Sequence, residues 1–118
     1  MGIIYGRIAV DSASSGLMAP LDNVEPTSVE DVAARLRLTR EAMGWSQAEL
    51  CRRCGISTQT WNNAETADNR ISVDEAIKLC RTTGVTLDWI YRGSRVLLPA
   101  SVLDALRGAT RRQSSRRA

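Results

Sequence analysis

The chain has 118 residues, 43% of them apolar, with three Cys, no His and a formal net charge of +3 that is unevenly spread: residues 1–34 are net acidic, residues 35–106 nearly balanced, and the last twelve hold Arg107, Arg111, Arg112, Arg116 and Arg117. This length suits one small domain with extensions. There is no apolar run near the ~18 residues of a membrane span and no hydrophobic signal segment after a basic start, so a cytoplasmic protein without a membrane partner is expected.

Residues 1–27 read as a flexible N-terminal arm. Ile3, Ile4, Ile8 and Val10 allow a short strand, but Ser12 to Gly16 and two prolines follow.

Residues 28–93 are densely patterned. Ser28 caps a first helix in which Val29, Val32, Leu36, Arg40 and Met43 recur every three or four residues, and Gly44 ends it. Ser46 and Glu49 form a capping box for a second helix. Gly55 then supplies a residue that takes φ > 0 at a sharp turn, and Ser57 caps a third helix. On this third helix Trp61 and Ala64 face inward, while Thr58, Gln59, Asn62 and Asn63 face outward. Ser72 and Glu75 cap a fourth helix, with Ala76, Leu79 and Cys80 on its inner face and Gly84 at its end. Thr86 starts a short fifth helix with Leu87 and Ile90 inward, and Gly93 stops it.

Residues 94–110 form a helical extension. Pro99 stands where a helix starts, and Val102, Leu103 and Leu106 make an apolar stripe too large to leave wet. It packs back on the fifth helix or forms a dimer contact. Residues 111–118 read as a disordered basic tail. The fold class is therefore all-α: a five-helix domain with an N-terminal arm, a short C-terminal helix and a basic tail.

Chemistry is sparse. Histidine is absent, no phosphate-binding glycine loop is present, and the carboxylates sit at capping positions, so neither an enzyme nor a cofactor is expected. Cys51 and Cys54 form a C-x-x-C, but zinc wants four ligands and no second pair exists. The two thiols share the inner face with Leu50 and read as small hydrophobes, with redox sensing as the alternative.

Two helices joined by a tight glycine-containing turn form the unit that places one helix in the major groove of DNA. The stretches RLRLTREAMGWSQAELCRRCGIS, TQTWNNAE and ISVDEAIKLCRTTGVTLDWIYRG occur in that order. Together they resemble the lambda-repressor-like (Cro-type, XRE) helix-turn-helix family over residues 32–93. The resemblance implies a bacterial or phage transcription regulator, associated with the nucleoid when bound, that acts as a homodimer on double-stranded operator DNA. It implies roles for individual residues. Gln47 would donate to a phosphate and brace the recognition helix. Thr58, Gln59 and Asn63 would face bases, with Thr60 and Asn62 nearer the backbone. Thr66 and Arg70 would meet phosphate. Arg40 and Glu65 would form a partly buried ion pair, and Gly55 would be the turn residue. Three departures stand out. Helix three carries no Arg or Lys. The sizes at Trp61 and Ala64 are reversed, which suggests that the indole fills space left at Ala64. Gly is usual where Ala67 stands. A competing reading is an adaptor or antitoxin that touches RNA polymerase or another regulator through the C-terminal stripe and binds DNA only weakly.

Overall fold

A computed structural model describes residues 26–117. The arm and the short strand expected within residues 1–25 lie outside the described residues. The described residues form six helices: α1 Val29–Met43, α2 Gln47–Cys54, α3 Thr58–Glu65, α4 Val73–Thr83, α5 Leu87–Arg92 and α6 Ala100–Arg117. The all-α expectation holds.

Local capping sets the first five helices. The Oγ atoms of Ser28, Ser46, Ser57 and Ser72 and the Oγ1 of Thr86 each accept the backbone N–H three residues on. Each such cap contributes about 1 kcal/mol. Four of the five helices end on a left-handed glycine. At Gly55, where φ is 75°, this conformation turns the chain between α2 and α3 within three residues.

α1 is the spine of the domain. It packs against α3, α5 and α6, while α2 packs on α3 and α4, and α4 on α5. Val32 and Leu36 of α1 meet Leu50, Trp61, Leu79, Ile90 and Leu106 in one core. Burying side chains of this kind stabilises by roughly 1.5–3 kcal/mol each. Polar groups inside the core are partnered. The Trp89 indole N–H donates to Thr39 Oγ1 at 2.9 Å, and the Thr39 hydroxyl donates to the Arg35 carbonyl at 2.7 Å. Buried Arg35 donates to the Ile90 carbonyl at 2.9 Å and to that of Pro26 at 2.8 Å. It thereby joins α5 and the segment before α1 to the spine.

Three expectations need correction. The C-terminal stripe packs chiefly on α1 rather than on α5. Val102 and Leu106 of the stripe, with Ala109, are buried within this chain and Leu103 is partly buried, so the stripe is largely turned inward. Residues 111–117 continue α6 where a disordered tail was expected. The reason is that the apolar stripe extends to Ala109, past Gly108, and Gln113 then donates to Glu41 Oε1 at 2.8 Å. A mid-helix glycine costs ~1 kcal/mol relative to alanine, less than this docking recovers. Finally, Leu87 is half-exposed, and Trp89 fills the inward position of α5.

Candidate nucleic-acid interface

The α2–turn–α3 unit is held from beneath by its small and apolar residues. Leu50, Cys51, Cys54 and Ile56 are buried under the turn. The Gly55 N–H donates to the Cys51 carbonyl at 2.9 Å, and the Lys78 ammonium donates to the Gly55 carbonyl at 3.2 Å. Burial pushes the Cys51 and Cys54 thiols above their ordinary pKa. A thiol held protonated is a poor nucleophile and a poor metal ligand, as suits a core packing role. Among the described residues no group of His, Cys, Asp or Glu is arranged to hold a metal ion.

The inner side of α3 is fixed by one carboxylate. Glu65 is 3% exposed. It accepts from Arg40 Nε at 2.5 Å and Nη2 at 3.2 Å, from Gln47 Nε2 at 3.2 Å and from the Trp61 indole N–H at 2.5 Å. Burial raises the Glu65 pKa, but the hydrogen bonds from Arg40, Gln47 and Trp61 outweigh it, and the carboxyl sits below its ordinary range. Arg37 adds a bond from Nη2 to the Glu65 carbonyl at 3.2 Å. The Arg40–Glu65 pair expected from the sequence is therefore present. Gln47 takes the bracing half of its expected role, with one amide N–H turned inward to Glu65. The Trp61 and Arg37 bonds were not foreseen, although the four-residue spacing of Trp61 and Glu65 on one helix is a legible signal for the first.

The outer side of α3 is different. Thr58, Gln59, Thr60 and Asn62 are exposed and Asn63 is half-buried. The Thr60 hydroxyl accepts from Ser57 Oγ at 2.8 Å. Among the described residues, the side chains of Thr58, Gln59, Asn62 and Asn63 make no hydrogen bond, so their donors and acceptors face solvent. Thr66, just past the helix, has its hydroxyl 2.9 Å from the Asn62 carbonyl and 3.1 Å from Asp68 Oδ2. Its single proton is committed inside the loop, which weighs against its expected phosphate contact. Arg70 is exposed and donates through Nη1 to the Thr27 carbonyl at 2.8 Å, leaving its other N–H groups available. Between them, Ala67 holds φ at 66°, the one non-glycine in the left-handed region among the described residues. This is where the resemblance expects glycine.

Comparison with known proteins agrees with this geometry. The helix-turn-helix domain family matches residues 31–90, which spans α1 to the middle of α5. Neither the curated proteins nor the solved structures supply a match. Among the described residues no helix is long and apolar enough to cross a membrane. The matched segment is just over half of the chain, contains the whole α2–turn–α3 unit, and is fully helical where the motif requires it, and the chain accordingly belongs to the helix-turn-helix domain family, a class of DNA-binding domains.

Proposed function

We propose that the protein is a sequence-specific, DNA-binding transcriptional regulator that reads double-stranded operator DNA with α3. One observation carries this reading. The outward polar face of α3 is left without internal partners, while its inward face is anchored through Glu65 to α1 and α2. A polar face that is held still and unsatisfied suits base edges. Gln59 and Asn63 are amides of the kind that pair with adenine N6 and N7, each such pair discriminating by ~1–3 kcal/mol. Thr58 reaches a neighbouring base, Thr60 and Asn62 lie nearer the backbone, and Arg70 meets a phosphate.

The protein works as a cytoplasmic homodimer of bacterial or phage type, its two recognition helices ~34 Å apart in successive major grooves. Val96 and Leu97, 85% and 74% exposed, are the apolar residues available for such a contact once the α6 stripe is internal. The competing adaptor or antitoxin reading, with RNA polymerase or another regulator as its target, would have to use Val96 and Leu97 in place of the inward-turned stripe. Selection of bound duplexes from random sequence tests the proposal. A recovered motif with inverted halves supports it, and a pool without a motif rejects it.

A further inference from the structure

The recognition helix carries no cation, yet DNA affinity rests largely on neutralised phosphates. The C-terminal half of α6 carries a surplus of charge. Arg111, Arg112 and Arg116 are exposed on its last turns. Among the described residues neither Arg111 nor Arg112 has a carboxylate partner. Both guanidinium groups lie over Gly108, where an added Cβ would sit 3.4 Å from Arg112 Nη1 and 3.9 Å from Arg111 Nη2. Two like charges gathered over one glycine leave a site that favours an anion.

The position of this turn ties it to α3. Arg112 Nη2 donates to the Glu41 carbonyl at 3.3 Å, and Gln113 donates to the Glu41 carboxylate. The Gly44 N–H donates to that same Glu41 carbonyl. The end of α6 thus sits against the close of α1, just before Gln47 begins α2. Glu41, Gln113 and Arg116 share a shallow cleft with Arg37. Arg37 in turn shares a second cleft with Glu65, Thr66 and Ala67, where α3 ends. Arg37 is half-exposed. A basic band therefore runs from the end of α3, across Arg37, to the last turns of α6. Three carboxylates border it: Glu30 is exposed in the cleft at the end of α3, Glu65 is buried against Arg40 and lies 3.9 Å from Arg37, and Glu41 lies 3.5 Å from Arg116.

We propose that this band, formed by Arg37, Arg111, Arg112 and Arg116, binds the DNA phosphate backbone beside the groove that α3 reads. The band supplies sequence-independent affinity and leaves discrimination to the neutral amides of α3. The inference rests on the DNA-binding reading above and extends it to a second contact surface outside the matched family segment.

The test compares the full chain with an Arg111→Gln/Arg112→Gln/Arg116→Gln variant. Each binds a selected duplex and a scrambled duplex of the same composition over a series of salt concentrations. An Arg81→Gln variant removes an exposed arginine from α4 as a control, and thermal unfolding establishes that all chains fold. The slope of log K against log salt is expected to fall by about 2–3 for the triple variant, at ~0.9 per lost phosphate contact. The ratio of affinities for the two duplexes should stay within about twofold, and Arg81→Gln should leave the slope as it was. A folded triple variant with the wild-type slope overturns the proposal, whatever its sequence preference. If the wild type binds both duplexes equally and the triple variant still loses slope, sequence-specific regulation fails and the phosphate band stands. If the wild type binds neither duplex at low salt, both fail.

Discussion

Arg40 and Glu65, 25 residues apart, are joined by two parallel N–H···O bonds, and the carboxylate is far more deeply buried than the guanidinium. The asymmetry makes the two halves of the pair unequal. Without Arg40, Glu65 remains buried with two neutral donors, Gln47 and Trp61, and the half-exposed Arg37 guanidinium 3.9 Å away as its nearest cation. Without the Glu65 charge, Arg40 is still partly hydrated and keeps its bond to the Trp45 carbonyl. Arg40→Gln is expected to cost about 3 kcal/mol and Glu65→Gln about half of that. Urea unfolding measures both, and equal losses would contradict the argument.

The same carboxyl sets the acid limb of stability. Its folded pKa lies below the ordinary glutamate value of about 4.5. A depressed folded value means that the stabilisation is complete above the unfolded value and is lost as pH falls toward the folded one. The urea midpoint should therefore drop as pH falls below about 5, and the drop should be shallower in Glu65→Gln. Some slope will persist in that variant, because hydrogen bonds from Arg52 and Arg53 also lower the Glu49 carboxyl. An equally steep limb in Glu65→Gln counts against the assignment.

Ala67 is a site for a stabilising substitution. Left-handed backbone is strained for a residue with a Cβ, by ~1–2 kcal/mol, and glycine returns part of this as unfolded-chain entropy. Ala67→Gly should gain about 0.5–1 kcal/mol and raise Tm by a few degrees. A lower Tm would show that the Ala67 methyl makes contacts worth more than the strain.

Trp61 is fully buried and spans from the core to Glu65. Trp61→Ala should cost about 3–5 kcal/mol, a large share of the stability of a small domain. Trp61→Phe keeps most of the volume but removes one donor from Glu65, and should cost about 1–3 kcal/mol. Unchanged thermal unfolding of Trp61→Ala would refute the idea that the indole fills the space left at Ala64.

Substitutions on the outer face of α3 should behave oppositely. Gln59→Ala and Asn63→Ala are expected to leave stability within ~0.5 kcal/mol. Each should relax discrimination at one base position by ~1–3 kcal/mol, read from competition among single-base variants of a selected duplex. A uniform loss over all the duplexes would assign these amides to the backbone instead.

The helix boundaries were legible because each is written locally. A serine or threonine begins α1 to α5, and a glycine ends four of them. The Arg40–Glu65 pair was legible only through the family resemblance, since nothing in spacing alone brings residues 25 apart together. What stayed hidden depends on tertiary contact. Gly108 and the arginines around it suggest a frayed end, and only the docking of Val102, Leu106 and Ala109 on α1 carries the helix past them. In α5, periodicity could not distinguish Leu87 from Trp89, because the choice is made by the Thr39 hydroxyl on another helix. The exposed amides of α3 were identified by pattern, whereas the commitment of the Thr66 hydroxyl to its own loop was not.

The docking of α6 on α1 also has a consequence in time. Glu41 and Arg112 are 71 residues apart in the chain. At synthesis rates of roughly 5–20 residues per second, the first helix waits about 4–14 s after it is made before its last partner exists. The recognition unit, whose partners in α1 and α2 precede it, can assemble in that interval, while the side of α1 destined for α6 remains bare. Docking of α6 thus comes after the recognition unit has been made, and in the proposed reading it delivers the arginines of α6 to a groove-reading unit already in place.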